Sequence, residues 1–138
     1  MTKIVYNGCY GGFSLSNEAI MRYAEIKGIT LYSEVDSIFT HYYLCPPEEF
    51  KRLQDEDNAK PIHPGRYARS NEMYFSDREI ERNDPALAQV VEELGDKANG
   101  MCAKLRIEDV AAGTLYRIDE YDGYESVVTQ DTYEWKVA

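Results

Sequence analysis

The first 28 residues restrict the fold more than any other stretch of the chain. Lys3 to Asn7 (KIVYN) is short, β-branched and aromatic, the composition of a strand. Gly8, Gly11 and Gly12 then fall within five positions. Glycine reaches positive φ without a steric penalty, so this spacing predicts a tight, non-repetitive turn. Beyond it Ala19, Ile20, Tyr23 and Ala24 recur at helical spacing, with Lys27 in the last turn and Gly28 as a stop. Ser14 or Ser16 is the expected cap, because a serine oxygen accepts from the free N–H groups of a first helical turn.

A glycine loop between a strand and a helix exposes backbone N–H groups near the positive end of a helix dipole. That suits a phosphate or a carboxylate. The residues such a site would use are Asn7, Gly8, Cys9, Tyr10, Gly11, Gly12, Phe13, Ser14 and Ser16, with Tyr10 or Phe13 stacking on the ligand. The loop is not a Walker loop, since no Gly-Lys-Ser/Thr follows, and its spacing is not GxGxxG. The alternative is structural: the glycines let strand and helix pack closely, and Tyr10 and Phe13 plug the core. Cys9 invites a nucleophile reading, because a thiolate near a helix N-terminus has a lowered pKa. A cysteine enzyme also needs a base, and His41 and His63 are distant in sequence and lie in no recognisable motif. A small buried hydrophobe is the commoner role for such a cysteine. No catalytic residue is assigned, and Cys9 is the one candidate.

At 138 residues the chain is expected to form one domain over 1–138, with a core that needs no staples. No apolar run approaches the ~20 residues that cross a bilayer, and no signal-peptide pattern opens the sequence, so a cytoplasmic location and no membrane partner are expected. Three cysteines without a CxxC argue for reduced thiols and against a disulfide framework or a zinc site. A net charge of −10 disfavours direct binding to nucleic acid or anionic lipid. It also raises the alternative of an acidic protein that imitates DNA. Here, however, 15 basic residues interleave with 25 acidic ones, as ordinary solubility requires.

Along the chain, 29–32 is expected as a strand, 33–37 as a polar turn and 38–44 as a second strand with His41 in its middle. Pro46 and Pro47 end that strand, and a short helix begins at Glu48. The composition from Gln54 to Arg69 predicts the longest loop, which in a compact domain is functional or mobile. Arg66, Tyr67 and Arg69 make a cationic, aromatic patch in it, able to close over a nucleotide-like ligand or simply to pair with nearby acids. Asn71 to Phe75 is expected as a strand. Asp84-Pro85 starts the clearest helix, with Leu87, Val90, Val91 and Leu94 facing the core and Gly95 interrupting it. The last third is a meander, with strands near 103–107, 114–121 and 124–129 and an added edge at Tyr133-Glu134-Trp135. Asp122-Gly123 is a two-residue hairpin turn. Asp119, Glu120, Asp122 and Glu125 crowd that tip without EF-hand spacing, so a solvated tip is expected and no metal is assigned. The fold class is α+β: a mainly antiparallel sheet, two principal helices and one short one.

Two runs, NGCYGGFSLS at Asn7 to Ser16 and the pieces DPALAQVVEELGDKANG, CAKLRIEDV and EYDGYE within Asp84 to Glu125, resemble a family of small uncharacterised proteins encoded by bacteriophages and prophages. The resemblance leaves out the middle third, about 33–76, and implies no established activity or cofactor. It implies a host-cell setting, in which small accessory proteins counter host defences, some by sequestering nucleotide signals. The family's C-terminus often ends in a His-Arg-Thr-Trp-like run where this chain has Thr132-Tyr133-Glu134-Trp135, so the resemblance carries over no histidine there. Two partner classes follow: a nucleotide-like anion held by the glycine loop with Arg66, Tyr67 and Arg69, or a host protein met by an acidic, tyrosine-rich face. An enzyme built on Cys9 is the third. Twelve tyrosines and one tryptophan suit an interface, including one between copies of the chain, and equally a core and its rim.

Overall fold

The computed structural model describes residues 1–130 and 136–138. The edge strand expected at Tyr133-Glu134-Trp135 lies outside the described residues. In chain order the elements are β1 (Thr2–Asn7), α1 (Asn17–Lys27), β2 (Tyr32–Asp36), β3 (Phe39–Tyr43), α2 (Pro47–Asn58), α3 (Ala68–Glu72), β4 (Tyr74–Phe75), α4 (Pro85–Leu94), β5 (Leu105–Val110), β6 (Tyr116–Tyr121) and β7 (Tyr124–Thr129). Short 3-10 turns stand at Asp77–Glu79 and Gly95–Ala98. The fold is α+β with antiparallel pairing, divided among three small sheets of order β1-β5, β2-β3-β4 and β6-β7. The chain groups into two compact units, one of residues 1–23 with 80–138 and one of residues 24–79.

In the first unit β1 pairs with β5 from Thr2↔Val110 to Asn7↔Leu105. Ile4 and Val5 are fully buried, and so are Leu87 and Val90 of α4. That helix starts where Asp84 and Pro85 predict: the Asp84 carboxylate accepts from Ala86 N at 2.9 Å. It ends at Gly95, whose φ is +57°. On the far edge of β1, Val5 N donates to the Arg82 carbonyl at 2.9 Å, so the segment before α4 is laced to the strand. The β6–β7 hairpin turns on Asp122 and Gly123, both at positive φ (50° and 86°), the conformation of a two-residue primed turn.

The second unit departs from the sequence expectation in three places. The strand expected at 29–32 lies later, as β2 over Tyr32–Asp36, where a polar turn was predicted. Every residue of β2 is exposed, so it carries no apolar alternation by which to be recognised. The turn itself is Ser37-Ile38, with Ser37 at φ +57°. The helix after Pro46 runs twelve residues to Asn58 and so takes in 54–58 of the expected loop, while α3 over Ala68–Glu72 takes its last two residues, Ala68 and Arg69. Only Tyr74 and Phe75 of the strand expected at 71–75 pair with β3. Tyr43 anchors this unit, with its ring centroid 4.4 Å from Phe50 and 5.7 Å from Tyr74.

Candidate functional site

The glycine loop is built around Asn7, a polar side chain with no exposed surface. Its Nδ2 donates to the carbonyls of Cys9 (2.7 Å) and Gly123 (2.8 Å), and its Oδ1 accepts from Lys104 N at 2.8 Å. One amide group thus ties the end of β1 to the 102–104 segment and to the β6–β7 turn. The backbone N–H of Asn7 donates to Glu125 Oε1 at 2.8 Å, and that of Gly8 to the Lys104 carbonyl at 2.8 Å. These donors face the protein's own acceptors.

Ser16, not Ser14, caps α1: its Oγ accepts from Ala19 N at 3.1 Å and donates to the Lys97 carbonyl at 2.6 Å. Ser14 Oγ donates to the Met101 carbonyl at 3.3 Å. Ser16 N also donates to the Ala98 carbonyl at 2.9 Å, and Gly100 N to the Ser14 carbonyl at 3.0 Å. The helix entry therefore lies against the 97–101 segment.

Close approach explains two of the glycines. A Cβ on Gly11 would lie 1.6 Å from the Cys102 carbonyl oxygen, so no side chain fits there without moving backbone. A Cβ on Gly123 would lie 2.6 Å from the Tyr10 carbonyl and 2.7 Å from Gly12 N. The loop is thus clamped between two turns, and its Tyr10 and Gly11 face outward. Tyr10 is 65 % exposed, with its ring centroid 5.1 Å from that of Tyr124. Tyr124 sits directly across the hairpin from Tyr121, which is 78 % exposed. Cross-strand neighbours share a face, so Tyr10, Tyr124 and Tyr121 form one aromatic strip. Met101, also exposed, belongs to the turn that clamps the loop.

Phe13 is the core plug and Tyr10 is not. The Phe13 ring is buried, and the Arg82 guanidinium lies 3.5 Å from its centroid. Arg82 also binds Glu125 through both nitrogens, at 2.7 and 2.9 Å. Glu125 is therefore no part of a solvated acidic tip: it is buried and paired. The strand alternation that turns Glu125 inward while Tyr124 and Ser126 stay exposed is the feature of the sequence that could have shown this.

Cys9 donates from its thiol toward the Cys102 carbonyl (3.0 Å) and Asn7 Oδ1 (3.4 Å). His41 and His63 both belong to the second unit. His41 Nδ1 is 3.0 Å from the Tyr74 hydroxyl. Arg66, Tyr67 and Arg69 are also residues of the second unit. Arg66 donates to the carbonyls of Asp57 (3.0 Å) and Asn58, closing the C-terminal end of α2 where a cation is favoured. Tyr67 donates to Asn58 Oδ1 at 2.6 Å, and Arg69 stands 3.5 Å from Glu56. Within the same turn Asp57 is fully buried, and hydrogen bonds from Lys60 and Ser70 hold its carboxyl below the usual range. The loop in the first unit gains a cation that the sequence reading did not select. The Arg106 side chain lies over Gly8, with its Nε 2.4 Å from where a Cβ would be.

Among the described residues no group of three or more His, Cys, Asp and Glu side chains is arranged to hold a metal ion. No helix among them is long and apolar enough to cross a membrane. The fold and site define an α+β chain with a clamped glycine loop under an exposed tyrosine strip. No protein-family model matches the chain, and no curated protein or solved structure matches it either.

Proposed function

We propose that the chain is a binding protein whose target is another protein, engaged through Tyr10, Tyr121 and Tyr124 with Met101 beside them. The observation that carries this reading is the contact between Tyr10 and Tyr124, two exposed rings held on a backbone that Asn7, Gly11 and Gly123 leave little room to move. Tyrosine offers a large amphipathic surface at low entropic cost, and rigid aromatic strips of this kind are what protein interfaces use as anchors. Glu120 and Asp122 flank Tyr121 in sequence, and a net charge of −10 favours approach of basic surfaces. The resemblance to phage-encoded proteins makes a protein of the host cytoplasm, within a defence system, the natural partner. A photo-cross-linking residue at Tyr121 should capture a discrete protein from a host lysate, and the doubly substituted Tyr10→Ala/Tyr124→Ala chain should lose it. Equal capture by the double variant removes the reading.

A second reading keeps the nucleotide-like anion, and Arg106 favours it. Its stem covers Gly8 beside the exposed Tyr10–Gly11 turn, and no ion pair engages it among the described residues. Arg106 would bind the anion and Tyr10 would stack on the base. Melting temperatures measured with nucleotides and cyclic dinucleotides test it: a ligand at 100 times its Kd adds about 2.7 kcal/mol. A shift that disappears in Arg106→Ala supports this reading over the first. No shift with any compound removes it.

A further inference from the structure

The three thiols divide by environment. Cys45 is buried, and that burial pushes its thiol above the ordinary range. Cys102 is exposed, and Cys9 is half-buried beside it, with its sulfur 3.0 Å from the Cys102 carbonyl. Gly11 presses on the same Cys102 backbone, so the two residues meet across the tightest contact of the loop. Cys102 also takes φ +64°, a left-handed conformation uncommon for a residue with a Cβ. Such a conformation is a reason to look for function.

We infer that Cys9 and Cys102 are a redox pair, which a hydroperoxide converts into an intramolecular disulfide. A carbonyl oxygen lies about 2.4 Å from its own Cα, so the Cys9 sulfur is within about 5.4 Å of the Cys102 Cα. The Cys102 Cβ also faces the loop, 2.5 Å from where a Cβ on Gly11 would be, and turning the exposed Cys102 side chain about χ1 is the motion that carries its sulfur toward Cys9. Exposure makes Cys102 the residue attacked first. Its thiolate takes one oxygen from hydrogen peroxide, the O–O bond breaks and hydroxide leaves, giving the sulfenic acid. The Cys9 sulfur then forms the S–S bond and displaces the second hydroxide. The two thiol protons end in water. Two thiols lose two electrons, and one peroxide becomes two waters. The bond would fasten the glycine loop to the 100–103 turn, fixing Tyr10 and Met101 together. It forms whether or not the tyrosine strip binds a partner.

The test uses the full chain, reduced and then treated with a small excess of hydrogen peroxide. Thiols counted afterwards in denaturant should fall from three to one, the survivor being Cys45. A non-reducing digest should yield a Cys9–Cys102 linked peptide, 2 Da lighter than the sum of its parts. In Cys9→Ser, the sulfenic acid at Cys102 has no resolving thiol, so dimedone should label Cys102 several-fold more than in the parent chain. A linked peptide containing Cys45, cross-links only between molecules, or no linked peptide at all overturns the inference. So does dimedone labelling of Cys102 that is equal in the two chains.

Discussion

Arg82 holds Glu125 by two hydrogen bonds, NH1 to Oε1 at 2.7 Å and NH2 to Oε2 at 2.9 Å, while its guanidinium covers the Phe13 ring at 3.5 Å. Because Glu125 Oε1 also accepts the Asn7 N–H, this pair joins β1, the glycine loop, the segment before α4 and β7. Removing one partner of a buried pair leaves the other charged and unsolvated, at a cost of about 3–5 kcal/mol. Glu125→Ala should therefore lose roughly that much stability in urea unfolding. Glu125→Gln, which keeps an acceptor for both Arg82 and Asn7, should lose clearly less. Equal losses would mean that packing, not the charge, accounts for the residue.

Asn7 carries a separate prediction, because its buried amide satisfies three part-buried backbone groups at once. Each group left without its partner costs about 1–3 kcal/mol, so Asn7→Ala should be destabilised by about 3 kcal/mol or more. The near-isosteric Asn7→Asp should not rescue it at neutral pH. A carboxylate there would face the Cys9 and Gly123 carbonyls, oxygen against oxygen. Denaturant melts of the two variants against the parent chain decide the matter, and a stable Asn7→Asp would remove the amide's donor role.

What could be read in the sequence was local, and what could not depended on contacts made far along the chain. Asp84-Pro85 sets a helix start and Asp122-Gly123 a hairpin because the residues involved are adjacent and their chemistry fixes the backbone. The β2 strand was read as a turn, since an edge with every residue exposed shows no alternation between faces. The glycines mark a loop between β1 and α1, but its interior contacts are not legible in the sequence. Asn7 meets Lys104 and Gly123, and Cys9 meets Cys102, only after the whole chain has folded. Glu125 stands among the hairpin acids in sequence, and the alternation of β7 marks it as inward without naming its partner Arg82, 43 residues away. Arg106 reads in the sequence as one more outward residue of an alternating strand.

The tyrosine strip should separate binding from folding. Tyr10 is 65 % exposed and Tyr124 42 %, so replacing both with alanine should change stability by about 1 kcal/mol. If they anchor a partner, the same double substitution should weaken binding by more than about 2 kcal/mol, some thirtyfold, as truncation of interface anchors does. Titration calorimetry with the captured partner, beside a denaturant melt, reads both quantities. A variant that unfolds early would assign the rings to the fold.

Acid stability gives the last prediction through Glu93 of α4. Arg22 donates to its carboxylate at 2.8 and 3.2 Å and Gln89 adds a third bond at 2.9 Å, which holds the carboxyl down to about 2. The unfolded carboxyl titrates near 4.5. A carboxyl depressed in the folded state favours folding above its unfolded value, and that contribution is lost as the pH falls through the folded one. Parent and Glu93→Gln should therefore differ in melting temperature at pH 7, keep that difference down to about pH 5, and converge as the pH approaches 2. Both side chains are more than a third exposed or close to it, so the gap should be small and should narrow further in high salt. A gap that persists unchanged at pH 2 would mean that Glu93 acts through packing and not through its charge.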